Sequence, residues 1–161
     1  MKNDYKKGYI KIGIVLVIAI IYILVSKYFY RIVIVSGNSM STTVSEDGIC
    51  LVETGEFSFE RWDIVLAKLT YQTAIKRVIG IPGDTVQIRD GAVYINGAQI
   101  EQYNFYTEYA GIAADEIVLQ EDEYFLLGDN RPISYDSREH GLFDRTDIVG
   151  VVRKIIWKGK E

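Results

Sequence analysis

The stretch Ser36–Val44 (SGNSMSTTV) carries three serines and two threonines among nine residues. A serine hydroxyl can attack a carbonyl carbon, but only when a neighbouring base removes its proton. Clusters of Ser, Gly and Asn more often mark an ordinary polar loop than a reactive one. The sequence must therefore supply a base before any of these hydroxyls is taken as a nucleophile.

Two side chains could supply that base, and the residues alone leave the choice open. His140, the only histidine, lies in a charged turn where an imidazole is ordinarily solvated, and a Ser–His–Asp triad through it is one alternative. Lys76 is the other, because it lies among apolar β-forming residues where burial would favour the neutral amine that acts as a base. Lys76 and Arg77 would point to opposite faces of a strand. By spacing alone, an ordinary charged pair on an edge strand is the simpler interpretation.

The composition excludes several other kinds of site. With Cys50 as its only cysteine, the chain forms no internal disulfide and no cysteine-based zinc site, and a single histidine excludes a multi-histidine site. Residues 1–31 hold six basic residues against one acidic, a net charge of +5, whereas residues 32–161 hold twelve against twenty-one, a net charge of −9. An acidic body repels phosphate backbones, so we expect no nucleic-acid partner.

The body of the chain is typical of a succession of short strands. Eight segments combine β-branched or aromatic residues with flanking turn signals. They are residues 31–35, 49–52, 61–67, 70–79, 85–89, 92–95, 123–127 and 147–157. The clearest is a hairpin that turns at Asp90-Gly91. Residues 101–116 are aromatic-rich and irregular. The pattern predicts a mainly β, barrel-like domain.

An apolar segment precedes the strands, since Ile12–Val25 has fourteen residues without a charge. We interpret it as one N-terminal transmembrane helix of nearly minimal length. Bulky and basic residues follow it, which disfavours a cleaved signal peptide, and it lacks the polar face of a core helix. The lysines before it favour a cytoplasmic N-terminus. The chain then divides into a tail and membrane anchor, residues 1–30, and an extracytoplasmic β-rich domain, residues 31–161.

Three motifs follow this segment in order: Ser36–Met40 (SGNSM), Lys76–Asp84 (KRVIGIPGD) and Gly128–Gly141 (GDNRPISYDSREHG). Together they resemble the type I signal peptidases of the compact Gram-positive type, membrane-bound endopeptidases that remove signal peptides from exported proteins. The resemblance covers nearly the whole chain. It implies the β-fold that these enzymes share with self-cleaving LexA-like repressors. The repressors are soluble DNA-binding proteins, and the apolar segment and acidic body disfavour that alternative.

The resemblance implies roles for individual residues. Ser39 matches the nucleophile and Lys76 the general base of a Ser–Lys dyad, which acts through an acyl-enzyme without a metal or cofactor. Ser134 is similar to the serine that orients the lysine. The remaining supporting residues form two acid–base pairs, which are Asp136 with Arg138 and Asp129 with Arg77.

Two positions depart from the family pattern. The backbone N–H of Ser39 is the first candidate donor to the oxyanion. Some relatives add a serine hydroxyl two residues earlier, where this chain has Gly37, so Ser36 or a main-chain group is the candidate for the second donor. Thr42 replaces the proline that usually follows the nucleophile, which predicts a looser segment behind Ser39.

The implied partners are the signal peptides of exported precursors, together with the lipid of the cell membrane that the single helix would cross. We expect a precursor to bind as an extended strand along Ile32–Val35 and Tyr71–Lys76. Some family members beside pilus genes have drifted from the catalytic pattern. The alternatives are therefore a peptidase dedicated to pilus or other surface proteins, with pilin or secretion machinery as partner, and a non-catalytic pilus-assembly factor of the same fold.

Overall fold

A computed structural model describes residues 2–160, and its first element is a long helix. Helix α1 spans Lys2–Phe29, and no proline interrupts its ladder of backbone hydrogen bonds. The large apolar side chains from Ile12 to Val25 are between 49% and 72% exposed. Within the described residues, no helix combines the length and the apolarity that a membrane crossing requires.

The body is mainly β, as predicted. Between residues 30 and 157 the chain forms eleven strands. They are β1 (Tyr30–Ile34), β2 (Ile49–Glu53), β3 (Ile64–Lys68), β4 (Thr73–Gly80), β5 (Thr85–Arg89), β6 (Ala92–Ile95), β7 (Ala98–Gln99), β8 (Ile117–Val118), β9 (Glu123–Leu127), β10 (Phe143–Asp144) and β11 (Ile148–Trp157). Helix α2 (Ser137–His140) is a single turn, and further helical turns occupy Gly111–Ala114, Arg131–Ile133 and Arg145–Asp147.

Seven strands form a large antiparallel sheet in the order β1-β2-β11-β3-β4-β9-β10. The long β11 lies inside this sheet and pairs with both β2 and β3, with register shifts on each side. Such irregularities increase the local twist, so the sheet curls into a half-barrel rather than staying flat. The predicted barrel-like domain is therefore an open one in this protein.

The four remaining strands form a smaller sheet in the order β7-β6-β5-β8. The predicted hairpin is confirmed here: β5 and β6 pair antiparallel and turn at Asp90-Gly91, whose φ values are +51° and +75°. Positive φ at both central residues is the turn that matches the twist of the strands. Buried residues of β5 and β6 pack with Ile79 of β4 and Phe125 of β9, which joins the two sheets.

Strand β4 carries Lys76 and Arg77, and it lies inside the large sheet rather than at its edge. It pairs with β3 along Thr73–Arg77, whereas β9 pairs only with Arg77–Gly80. The first half of β4 therefore keeps one open edge, although the strand as a whole is interior. Lys76 and Arg77 are only 2% and 3% exposed, and this burial excludes an ordinary solvated charged pair on an edge strand as an account of them.

The predicted start of this strand at residue 70 is wrong. The N–H of Leu69 donates to the carbonyl of Gln72, which closes a turn, and Tyr71 within it is 98% exposed. The β-forming side chains at positions 70 and 71 misled the prediction because propensity does not register the turn that joins β3 to β4.

Candidate active site

The structure brings Ser39 and Lys76 together across 37 residues of sequence, with Lys76 Nζ 2.9 Å from Ser39 Oγ. Ser39 is half-buried in the turn after β1, whereas Lys76 is only 2% exposed. This distance allows a proton to pass directly between the amine and the hydroxyl. The pair therefore has the geometry that a nucleophile and its base require.

Burial makes the amine of Lys76 easy to neutralise. Removal from water lowers the pKa of Lys76 to about 8. The carboxylates of Asp136 and Asp129 oppose this effect because negative charges favour the ammonium form, while the Arg138 guanidinium adds to it. A substantial share of the side chain is then neutral at mildly alkaline pH, which is the form that can accept a proton.

Residues 38–44, the serine turn, hold Ser39 in place through a compact backbone. The chain enters at Gly37 with φ +91°, a conformation that favours glycine. The N–H of Ser41 then donates to the carbonyl of Asn38 at 3.1 Å, and that of Val44 donates to the carbonyl of Met40 at 2.7 Å. These bonds make the turn nearly helical around the serine.

Met40 fastens this turn to the core. Its side chain is fully buried and packs with Val52 of β2 and Ile75 of β4. Its Sδ accepts a hydrogen bond from the N–H of Asp129 at 3.3 Å. Because the methionine side chain is held inside, the neighbouring Ser39 hydroxyl is presented to the cleft.

Arg77 and Asp129 form a buried, bidentate ion pair beside the dyad. Arg77 Nε lies 2.8 Å from Asp129 Oδ1, and Nη2 lies 2.5 Å from Oδ2. The hydroxyl of Thr43 donates to the same Oδ2, which ties the serine turn to the pair. The ring of Tyr103 covers the guanidinium at 3.7 Å, a cation–π contact. Strand β4, the serine turn and the loop after β9 are thus joined at one carboxylate.

Asp136 and Arg138 form the second buried pair. Arg138 Nε lies 2.8 Å from Asp136 Oδ1, and Nη2 lies 2.9 Å from Oδ2. Asp136 also caps α2 and accepts a hydrogen bond from the N–H of Gly128 at 3.0 Å. This pair therefore fixes the start of the Gly128–Gly141 motif.

Ser134 is buried, but its hydroxyl does not bond to Lys76. Among the residues described, Ser134 Oγ has no hydrogen-bond partner, and Lys76 Nζ bonds to Ser39 instead. Ser134 packs against Gly128, where an added Cβ would lie 2.1 Å from Ser134 Oγ and 2.6 Å from the carbonyl oxygen of Ser39. This close approach requires glycine at position 128. The orienting role of Ser134 stays a prediction.

A cleft of about 460 Å³ runs past Ser39. The open edge of β1 lines one side of it, and Thr73–Lys76 of β4 line the other. Ser36 and Gly37 also line it, and Ser36 is exposed. Within residues 2–160 the Ser39 N–H donates no hydrogen bond, which leaves it available to an oxyanion. The oxyanion roles themselves stay predictions.

His140 lies outside this arrangement. Its ring stacks on Phe143 at 4.5 Å between centroids and meets the edge of Tyr135. The hydroxyl of Ser39 bonds to Lys76 and not to His140. The structure therefore gives the alternative Ser–His–Asp triad no support.

Sequence reasoning missed four residues that hold the site together. Thr43 and Tyr103 contact the Arg77–Asp129 pair, and Asn130 bonds to the serine turn. The fourth is Arg131, which bonds to Gly128, Tyr103 and Thr107. The sequence places Thr43 in the hydroxyl-rich stretch, and it places Asn130 and Arg131 directly after Asp129 in the third motif. No pattern in the sequence predicts their contacts.

Arg131 clamps residues 103–109, the aromatic strap, onto the loop after β9. Its guanidinium donates to the carbonyl of Gly128 at 2.9 Å, that of Tyr103 at 2.8 Å and the hydroxyl of Thr107 at 2.7 Å. These acceptors are uncharged, and burial lowers the pKa of Arg131 to about 10. The irregular segment is thus ordered by one buried cation.

Comparisons with known proteins agree with this geometry. A profile of the family described as "Signal peptidase, peptidase S26" matches residues 7–157. The chain is 35% identical to Signal peptidase I V of Bacillus subtilis (strain 168), over 73% of this chain and 80% of that protein. It is 34% identical to a Signal peptidase I P of Bacillus subtilis subsp. natto, over 85% of this chain and 82% of that protein.

A solved structure supports the same relation. The crystal structure of a signal peptidase I from Enterococcus faecalis V583 superposes with a TM-score of 0.52 at 34% identity, and covers 60% of this chain and 97% of its own. The fold is thus that of a signal peptidase. The chain belongs to the signal peptidase family, peptidase S26, which confirms the resemblance seen in its motifs.

Proposed function

We propose that this chain cleaves signal peptides from exported precursors, with Ser39 as nucleophile and Lys76 as general base. The observation that carries the proposal is the 2.9 Å contact between Lys76 Nζ, on a buried side chain, and Ser39 Oγ. Family membership supports the reaction class, and this contact supports the residues that perform it.

The geometry suggests the following sequence of bond changes. The neutral amine of Lys76 takes the proton of Ser39, whose oxygen attacks the scissile carbonyl carbon. The Ser39 N–H donates to the oxyanion that develops. When the C–N bond breaks, the lysine ammonium returns the proton to the leaving amine. A water molecule, activated by the same lysine, then hydrolyses the ester on Ser39.

The cleft suggests how a precursor would be held. The outer edge of β1 and the first half of β4 both present unpaired backbone groups to it. An extended peptide between them would add a strand, so main-chain hydrogen bonds would bind precursors of varied sequence. The open edge begins at Thr73, so the part of the predicted contact at residues 71 and 72 lies in the preceding turn.

We further propose that α1 associates with the membrane, with the N-terminus cytoplasmic and the β domain outside. The exposed apolar side chains of Ile12–Val25 have no protein partner that would cover them, within the described residues. The positive charge of residues 1–31 and the negative charge of the body favour this orientation.

The decisive assay compares a general secretory precursor with a pilin precursor, in detergent or membranes. We expect the wild type to cleave the secretory precursor, and Ser39→Ala and Lys76→Ala to abolish cleavage. Ser58→Ala and Lys68→Ala, at exposed positions of the same residue types, are the matched controls and should retain activity.

Each outcome of this assay has one meaning. Cleavage of the pilin precursor alone would identify a dedicated peptidase, and an inactive wild type would identify an assembly factor. Normal cleavage by Ser39→Ala or Lys76→Ala would refute the assignment of the dyad.

A further inference from the structure

Asn130 makes three hydrogen bonds to the serine turn, on both sides of the nucleophile. Its backbone N–H donates to the carbonyl of Ser39 at 3.0 Å. Its side-chain Nδ2 donates to the carbonyl of Asn38 at 3.1 Å and to the hydroxyl of Ser41 at 2.8 Å. The carboxamide nitrogen of Asn130 has two protons to donate, and it therefore bonds to the residues on both sides of Ser39 and Met40.

The serine turn lacks a restraint that a proline would supply. Proline fixes its own φ and restricts the residue before it. Position 42 is instead an exposed threonine, and within the described chain its N–H and hydroxyl make no hydrogen bond. Thr42 itself therefore adds no hydrogen bond to those within the turn, whereas Asn130 adds three from outside it.

We propose that Asn130 is a positioning residue whose side chain replaces that restraint and keeps the Ser39 hydroxyl directed at Lys76. This inference rests on the proposed role of Ser39 as nucleophile. Asn130 follows Asp129, which pairs with Arg77 next to Lys76. The nucleophile and the base are therefore both aligned to one short loop. A shift of Ser39 against that loop breaks the hydrogen bonds to Asn130, and a shift of strand β4 breaks the buried Arg77–Asp129 pair.

The test uses steady-state cleavage of a precursor by the full chain. We expect Asn130→Ala to lower kcat about tenfold with less than about a twofold change in KM, since roughly 1.4 kcal/mol of net hydrogen bonding is lost. Ser41→Ala, which removes one of the bonds from the other side, should lower kcat about threefold. The double variant should be no slower than Asn130→Ala, because both changes remove the same contact.

Rescue separates positioning from a general loss of structure. When Thr42→Pro is added to Asn130→Ala, kcat should rise at least about threefold. Thr42→Pro alone should change the kcat of the wild type by less than about twofold. Equal gains in the two backgrounds, or a kcat of Asn130→Ala within about twofold of the wild type, would overturn the proposal. Ser41→Ala removes only a half-buried hydroxyl, so it keeps the test valid if Asn130→Ala folds poorly.

Amide hydrogen exchange of residues 38–44 gives a readout that does not depend on catalysis. Exchange should be faster in Asn130→Ala than in the wild type, and Thr42→Pro should slow it again. If the wild type proves inactive but exchange behaves as expected, the proposed function fails while the positioning role stands. If the wild type is active but exchange in this turn is the same in all variants, the positioning role fails alone.

Discussion

Lys76 has to lose its proton while two carboxylates lie nearby. Each carboxylate is itself bound to an arginine through two hydrogen bonds, Asp129 to Arg77 and Asp136 to Arg138. Because each pair is nearly neutral overall, its field at the amine is much weaker than that of a free carboxylate. Burial is then the dominant influence on Lys76. The ion pairs thus allow acidic residues to support the site without stabilising the ammonium form.

The rate should depend on pH through this lysine. The neutral amine is the active form, so the single-turnover rate should rise about tenfold per pH unit below the pKa and level off above it. With the pKa of Lys76 lowered to about 8, we expect the midpoint near that pH. The measurement is a pH profile from about pH 6 to about pH 10.

A control for this profile is Glu139→Gln, which removes an exposed carboxylate of α2. We expect its midpoint to match that of the wild type. A flat wild-type profile over the same range, with chemistry limiting the rate, would contradict a lysine base.

Among the strands, the sequence predicted those with clear alternation and strong turn signals. The β5–β6 hairpin was predictable because Asp90-Gly91 suits a turn with two positive φ values. The two-residue strands β7, β8 and β10 were not, because periodicity needs more residues to be visible. Strand β3 begins at Ile64 rather than at residue 61, since Trp62 adopts a φ of +80° that its type does not predict.

The sequence motifs predicted part of the candidate site. They identified Ser39, Lys76 and the two ion pairs, which the structure places together. The hydrogen bond expected between Ser134 and Lys76 is absent from the described structure. Contacts such as Thr43 to Asp129 join residues 86 positions apart. Such contacts depend on how the sheet curls, which local sequence does not encode.

The aromatic strap should lose its order when Arg131 is changed. Arg131→Lys keeps the charge but cannot reproduce the planar fork that reaches three separate acceptors. We expect a loss of about 3 kcal/mol in the free energy of unfolding, measured by urea denaturation.

The matched variant is Arg153→Lys, whose side chain is 39% exposed and pairs with Glu53. An exposed pair contributes little, so we expect a loss below about 1 kcal/mol. Similar losses in the two variants would show that Arg131 is no more important to the fold than a surface arginine.

In the molecule as a whole, α1 leads into β1 without a spacer, since Phe29 ends the helix and Tyr30 begins the strand. The N–H of Thr54 donates to the carbonyl of Phe29, which fixes the helix end to the sheet. The segment from Tyr30 to Ser39 has ten residues, and a fully extended chain of that length spans at most about 35 Å. If α1 rests in lipid, the cleft lies close to the bilayer surface.

Membrane association can be tested with Ile18→Glu combined with Ile21→Glu, both at exposed apolar positions of α1. We expect the wild type to stay in the membrane pellet after an alkaline wash and the double variant to be released, because charges in an apolar segment are costly to insert. Cleavage of a short soluble peptide should be unchanged.

The control is Tyr71→Glu, which places one such charge on an exposed position of the β domain. It should remain in the pellet. Release of the wild type itself would contradict the proposed association of α1.

The adjacent Lys76 and Arg77 also make a shifted register of strand β4 unfavourable. Sliding β4 by one residue against its neighbours would reverse the faces of both side chains. Arg77 would then occupy the position beside Ser39, where a guanidinium stays charged and cannot act as a base. The same slip would leave the buried Asp129 without its partner, a loss of roughly 3–5 kcal/mol. A misregistered, inactive form of this protein is therefore too unstable to accumulate.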